Sequence, residues 1–93
     1  MDTFNKNERQ AFFASIKGRL IEMNDAEHYC SITLLCGHEN PRLVNLCIKK
    51  PAFDELRCVV GDKVSVKYFI ASRKKVDRWY TSANVLEVLR DLD

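Results

Sequence analysis

Hydrophobic and polar residues alternate along five segments of the chain, which is the period of β-strands with one buried face. The predicted strands are residues 15–23, 28–36, 42–49, 63–72 and 78–89. The inward face of the second holds Cys30, Ile32, Leu34 and Cys36. The inward face of the fourth holds Val64, Val66, Tyr68 and Ile70. Gly18, inside the first strand, predicts a bend or a bulge there.

A short helix is predicted between the third and fourth strands. Pro51 fits its first turn, where the missing N–H costs nothing, and Gly61 ends the connection that follows. Phe53 and Leu56, three residues apart, give the helix a small apolar face. Three strands, one helix and two strands is the element order of a small OB-fold barrel. We therefore expect an all-β fold, a five-stranded OB-fold barrel with one short helix between strands 3 and 4.

A chain of 93 residues has room for one core. The expected organisation is an N-terminal extension, a barrel domain and an acidic tail, at residues 1–14, 15–90 and 91–93. Phe4, Phe12 and Phe13 are the residues expected to dock the N-terminal segment. No apolar run approaches the ~20 residues that span a bilayer, and the N-terminus lacks the hydrophobic core of a signal peptide. We expect a cytoplasmic protein that makes no membrane contact.

The cysteines and histidines do not form a recognisable metal motif. The four cysteines are Cys30, Cys36, Cys47 and Cys58. None belongs to a CxxC pair, so zinc-ribbon and redox motifs have little support, and a reduced cysteine on a buried strand face acts as a small hydrophobe. His28 and His38 flank the second strand, but their spacing to the cysteines matches no ligand motif. We expect no metal and no other cofactor.

Positive charge is concentrated in the middle of the chain. Residues 42–78 hold ten Lys/Arg against four Asp/Glu, whereas residues 1–41 and 79–93 are each net −2. The densest cluster lies at the tip of the strand 4–5 hairpin and consists of Arg73, Lys74, Lys75 and Arg78. Such a cluster neutralises the phosphates of a nucleic acid. The same cluster is also typical of a solvent-exposed hairpin tip that binds nothing, where lysines discourage pairing with the edge strands of other molecules.

Four aromatic residues are considered with this charge, and three of them are candidates for stacking on bases. Trp79 and Tyr80 are adjacent on one strand and point to opposite faces. Trp79 is in phase with Val85 and is predicted to point inward, which leaves Tyr80 as the candidate platform. Tyr29 and Phe69 are out of phase with the buried residues of their strands and are predicted to be exposed. Exposed aromatics among basic residues suit a nucleic-acid face, and they suit a protein interface equally.

Acidic and nucleophilic residues form no catalytic arrangement. Asp54 and Glu55 belong to the predicted helix and Asp62 to the turn that follows it, and none has a defined partner. There is no serine–histidine–aspartate arrangement of a recognised kind and no glycine-rich phosphate loop. We expect that the protein is not an enzyme.

Four motifs occur in order along the chain: SITLL (31–35), VNLCIKKPAFDEL (44–56), GDKVSVKYFIASR (61–73) and DRWYT (77–81). Together they resemble the bacterial single-stranded DNA-binding proteins and, more closely, their small uncharacterised OB-fold relatives. The resemblance covers roughly residues 15–90. It implies binding of single-stranded DNA, or RNA, with little sequence preference, and a strand 4–5 hairpin that folds over the ligand. It also implies self-association and partners among replication or repair proteins.

The resemblance and the charges together predict a ligand site. Its residues are Lys49, Lys67, Arg73, Lys74, Lys75, Arg78, Tyr80, Tyr29 and Phe69. By position, the third strand also contributes Arg42, Asn45 and Cys47. Relatives stack bases on aromatics where this chain has Pro41, Cys47 and Lys75, and each such stack is worth about 1–3 kcal/mol. Binding is therefore expected to be weak and mainly electrostatic. The alternative is a protein-interaction or accessory module that has lost the nucleic-acid site.

Overall fold

Five strands and one short helix make up the described part of the chain, residues 13–27 and 29–91, in a computed structural model. They are β1 (Phe13–Asp25), β2 (Cys30–Cys36), β3 (Arg42–Ile48), α1 (Lys50–Asp54), β4 (Lys63–Lys75) and β5 (Arg78–Arg90). The strands close a barrel in the order β1-β2-β3-β5-β4, and β4 pairs back onto β1. The all-β class, the five-stranded barrel and the helix between strands 3 and 4 are confirmed.

Element bounds differ from the predictions mainly at β1 and β4, which are both longer. Phe13 begins β1 and pairs with Phe69 of β4, so the strand starts within the segment predicted as an extension. Phe4, Phe12 and His28 lie outside the described residues, as do the last two residues of the acidic tail. No helix in residues 13–27 and 29–91 is long and apolar enough to cross a membrane.

The barrel core is built mainly from the inward faces of β1 to β4, and Val85 and Val88 of β5 pack against it, partly buried. Its fully buried side chains are Leu20, Cys30, Ile32, Leu34, Leu46, Val64 and Val66. Burying a leucine, isoleucine or valine side chain contributes about 1.5–3 kcal/mol, so these positions supply most of the driving force for closure. Phe53 of α1 and Leu56 just beyond it are partly buried against this core. The helix therefore covers one end of the barrel, and the apolar pair predicted for it makes the contact.

Gly18 is required because two strands approach closely beside it. The first half of β1 pairs with β4 and the second half with β2, and Gly18 lies next to the changeover. A Cβ at this position would lie 2.7 Å from Cys36 Sγ and 2.8 Å from the Leu35 carbonyl oxygen. The β1–β2 register shift falls further along, between Leu20 and Glu22. The bulge predicted from Gly18 thus lies elsewhere, and the glycine serves steric clearance.

Beyond the barrel, β4 and β5 continue as a two-stranded arm, residues 70–83. Within the described residues, pairing of β1 with β4 extends as far as Phe69, and β3 meets β5 at a single pair, Cys47 with Asn84. Within the described chain, the strands of the arm are hydrogen-bonded only to each other. Apart from Ala83, which packs against the core at the base of the arm, neither face of the arm is covered by another described element.

The register assigns each residue of the arm to one of these faces, since directly opposite residues in an antiparallel pair share a face. The front face holds Ala71, Arg73, Lys75, Arg78, Tyr80 and Ser82. The back face holds Ile70, Ser72, Lys74, Trp79, Thr81 and Ala83. On the back face, the hydroxyls of Ser72 and Thr81 are hydrogen-bonded at 2.8 Å, which ties the two strands together.

The predictions for Ile70 and Trp79 were wrong, because both side chains were expected to point into the core. They are 59% and 67% exposed on the back face of the arm. Their strand phase is that of inward residues, but no second layer covers them in the described part of the chain. Alternation predicts which residues share a face, and it does not say whether a core lies beneath that face.

The turn at the tip of the arm is strained at Val76. Its φ is +60°, and Val76 is the only non-glycine residue of the described ranges with a positive φ. Glycine adopts this conformation without steric cost, whereas a β-branched residue there costs about 1–3 kcal/mol. The side chain is 88% exposed, so removing it sacrifices little packing.

Val76→Gly is expected to raise the free energy of unfolding by about 1 kcal/mol, after the entropy that glycine adds to the unfolded chain is deducted. The midpoint of thermal unfolding should rise by about 4–8 °C, as measured by circular dichroism. Asp77→Gly is the matched control, because Asp77 has no positive φ to relieve and should only lose stability. An unchanged or lowered midpoint for Val76→Gly would show that the turn is not strained.

Candidate nucleic-acid interface

A groove with a volume of about 1570 Å³ lies between the front face of the arm and the end of β3. The arm contributes Arg73, Lys75, Arg78 and Tyr80. The opposite wall contributes Tyr29, Lys49, Lys50 and Pro51. At the base, where β3 meets β5, lie Cys47, Phe69 and Asn84. The groove exists because the arm projects beyond the barrel and stands opposite the β1–β2 connection and the start of α1.

Seven of the nine residues predicted for the ligand site line this groove, and two do not. Those that line it are Tyr29, Lys49, Phe69, Arg73, Lys75, Arg78 and Tyr80. Lys67 lies on the barrel wall, where its Nζ is 3.9 Å from Glu87 Oε1. Lys74 is opposite Trp79 on the back face of the arm. Closure of the barrel therefore brings together residues from the β1–β2 connection, from the end of β3 and from the arm.

The groove presents four cations without an acidic partner. Within the described part of the chain, no carboxylate lies within ion-pairing distance of Lys49, Arg73, Lys75 or Arg78. Since all four are exposed, they are free to neutralise phosphate groups. Asp77, at the tip of the arm, is a carboxylate that also lines the groove.

Lys50 lies in the same wall but is already neutralised. Its Nζ is 2.8 Å from Asp25 and 3.2 Å from Asp54. The hydrogen bond with Asp25, and next that with Asp54, raises the pKa of Lys50 above its ordinary value. The same contact with Lys50 lowers the pKa of Asp25. This lysine therefore braces the start of α1 against the end of β1 and is not a free phosphate ligand.

Two exposed tyrosines face the groove from opposite sides. Tyr29 is 73% exposed just before β2, and Tyr80 is 51% exposed on the front face of the arm. Phe69 is half-buried at the base, so the prediction of an exposed ring is only partly met there. Of the three positions that the resemblance marks for stacking, Cys47 and Lys75 line the groove. The exposed aromatic rings of the groove thus belong to the two tyrosines and not to β3.

The sequence reading missed two uncharged residues in β5. Ser82 and Asn84 line the groove, and Asn84 Nδ2 donates to the carbonyl oxygen and the hydroxyl of Ser82 at 3.2 and 3.1 Å. They lack the charge or the ring that marked the other candidates. The sequence could have indicated them by their spacing from Tyr80, since alternate residues of one strand share a face.

The three residues predicted from strand 3 have different positions. Cys47 is half-buried and lines the groove. Asn45 lies on the same outer face of β3, two residues before Cys47, and pairs with Thr33 of β2. Arg42 is at the far end of β3, away from the residues that line the groove.

Of the four cysteines, Cys47 lines the groove and the other three lie elsewhere in the barrel. All four are free. Burial raises the pKa of the thiols of Cys30, Cys36 and Cys58, which favours their protonated form. Among residues 13–27 and 29–91, no group of three His, Cys, Asp or Glu side chains is placed to hold a metal ion.

No family model matches the chain, and neither a curated protein nor a solved structure matches it. The resemblance to single-stranded DNA-binding proteins, drawn from four motifs, stays a prediction. What supports a function is the chemistry of the groove.

Proposed function

We propose that the protein binds single-stranded nucleic acid in this groove, mainly by neutralising its phosphates and with little sequence preference. The observation that carries the proposal is the convergence, on one open groove, of two exposed tyrosines and four cations that have no acidic partner among the described residues. A basic track interleaved with aromatic platforms is the combination by which proteins hold single strands without reading their sequence. The four motifs favour DNA over RNA as the ligand.

The position of the groove in the barrel supports the same proposal. OB-fold barrels bind oligonucleotides on the face of strands 2 and 3 and between the loops that join strands 1–2 and 4–5. Tyr29 lies in the connection from β1 to β2, Lys49 follows β3, and the arm is the β4–β5 hairpin. We therefore propose that the barrel is an OB fold and that its ligand takes the usual position for that fold.

Titration of a fluorescently labelled oligo-dT, followed by anisotropy at several salt concentrations, tests the proposed function. Binding at low salt is expected to be micromolar or tighter. The logarithm of the association constant should fall with the logarithm of salt concentration with a slope of about −3, since four phosphates at ~0.7 each are neutralised. Absence of binding at low salt would refute the proposal. Binding that does not respond to salt would refute its electrostatic mechanism.

Tyr80→Ala and Tyr29→Ala are each expected to weaken binding about tenfold, because a base loses the ring on which it stacks. The salt slope should not change, since no charge is removed. Tyr80→Phe keeps the ring and should retain most of the affinity. Trp79→Ala removes an aromatic from the back face and is the control. A loss of affinity in Trp79→Ala but not in Tyr80→Ala would place the ligand on the back face of the arm and contradict binding in the groove.

A protein-interaction module is the second candidate function, and one observation favours it. Trp79 is exposed on the back face of the arm, opposite Lys74, and Ile70 is exposed on the same face beyond the Ser72–Thr81 pair. Tryptophan is enriched in protein interfaces, so an exposed Trp79 beside a cation suits a protein contact. Failure of the oligonucleotide titration would favour this candidate. Self-association, and partners among replication or repair proteins, stay predictions under either function.

A further inference from the structure

Three polar side chains form a hydrogen-bonded row across the outer face of β1, β2 and β3. Glu22, Thr33 and Asn45 lie on directly paired positions of the three strands. Asn45 Nδ2 and Thr33 Oγ1 are 2.8 Å apart, and Thr33 Oγ1 and Glu22 Oε1 are 3.3 Å apart. Asn45 Nδ2 also lies 3.5 Å from the carbonyl oxygen of Ile32. We call these three residues the acceptor row, for the reason that follows.

The direction of each hydrogen bond in the row is fixed by chemistry. A carboxylate only accepts, so the Thr33 hydroxyl must donate its single proton to Glu22. The Thr33 oxygen is then left to accept from Asn45, which places the amide nitrogen of Asn45 against it. Both amide protons of Asn45 are used, one on Thr33 and one on Ile32. What the row presents to solvent is therefore only acceptors, the carboxylate of Glu22 and Oδ1 of Asn45.

The acceptor row lies next to the groove. Asn45 is two residues from Cys47, which lines the groove, so the two are about 6.8 Å apart along β3 and share its outer face. A strand that leaves the groove across β2 and β3 passes over the row. The negative charge of Glu22 repels phosphate, so a base and not the backbone should face the sheet at this point.

We propose that the acceptor row selects for a base with an exocyclic amine, and so for cytosine over thymine, beside the groove. This rests on the proposed binding of single strands in the groove. The N4 amine of cytosine is a donor and complements a row of acceptors. Thymine has the acceptor O4 at the same position, which faces the carboxylate of Glu22 unfavourably. The result is a modest base preference added to binding that is otherwise electrostatic.

Oligo-dC and oligo-dT of equal length, compared by anisotropy at one salt concentration and neutral pH, measure this preference. Both are pyrimidine strands, so they differ mainly in the exocyclic group. The wild-type protein is expected to bind oligo-dC about threefold to tenfold more tightly, the worth of one additional hydrogen bond. Glu22→Gln keeps an oxygen that accepts from Thr33 but adds an amide donor for thymine O4. The preference should fall to near unity in this variant.

Glu39→Gln is the matched control, since it removes the same charge at an exposed position in the β2–β3 turn. It should bind both strands somewhat more tightly and keep the preference for oligo-dC.

Equal thermal unfolding midpoints of Glu22→Gln and wild type would support an intact row. Equal affinity of the wild type for the two strands would overturn the base preference while leaving groove binding in place. Persistence of the preference in Glu22→Gln, or its loss in Glu39→Gln, would overturn the role of Glu22. Failure to bind either strand would overturn the proposed function itself.

Discussion

Simultaneous replacement of Arg73, Lys75 and Arg78 by alanine is expected to weaken binding of oligo-dT at least about a hundredfold at low salt. These residues are three of the four unpaired cations of the groove, and all three lie on the front face of the arm. Each phosphate contact contributes about 0.7 to the salt slope for a single strand, so the slope should shrink by about 2. Anisotropy titrations at several salt concentrations measure both quantities.

A charge-matched variant separates the groove from general electrostatic attraction. Lys17, Arg57 and Lys63 are exposed and do not line the groove, and their replacement by alanine removes the same net charge. This variant should lose little affinity and keep the wild-type slope. Lys74→Ala should behave like it, because Lys74 lies on the back face. If both triple variants lost the same affinity and the same slope, the groove would not be the binding site.

Gly18→Ala is expected to lower the free energy of unfolding by about 2–4 kcal/mol. The new Cβ would meet Cys36 Sγ at 2.7 Å and the Leu35 carbonyl oxygen at 2.8 Å, both inside van der Waals contact. A backbone oxygen moves only if the strand that carries it moves, and here that strand is β2, whose inward side chains form part of the core. The midpoint of thermal unfolding should fall by roughly 10–20 °C.

A double variant distinguishes the two clashes at Gly18. Gly18→Ala combined with Cys36→Ala removes the sulfur but leaves the carbonyl oxygen of Leu35 in place. We expect only partial recovery relative to Cys36→Ala alone, measured by chemical denaturation. Full recovery would mean that the sulfur was the whole obstacle. A harmless Gly18→Ala would mean that β1 and β2 do not approach as closely as described.

Much of the fold could be predicted from local pattern. The period of two located all five strands, and the order of strands and helix identified a five-stranded barrel. The phase of β2 was right for Cys30, Ile32 and Leu34, which are fully buried. The same reasoning was wrong for Ile70 and Trp79. Burial depends on whether a second layer covers a face, and the arm has none in the described chain.

The candidate site was predictable in residue type more than in geometry. Arginine, lysine and tyrosine near the hairpin were visible in the sequence, and most of those chosen converge on the groove. Lys67 shares strand phase with Arg73, yet six residues of extended chain separate them by about 20 Å. It lies on the barrel wall beside Glu87 and not in the groove. Lys74 lies on the arm but points away from the groove, since neighbours on a strand face opposite sides.

Local sequence determines the features that depend on short-range preferences, which are the strands and the short helix after Lys49. It also shows directly that Pro41, Cys47 and Lys75 are not aromatic and that positive charge is concentrated between residues 42 and 78. Barrel closure settles what depends on distant contacts. It makes Gly18 a point of close approach, ends the core before the arm begins, and brings Tyr29 and Lys49 opposite Arg73 and Tyr80. Residues far apart in the chain become neighbours only when strands pair, and no local period encodes which of them will meet.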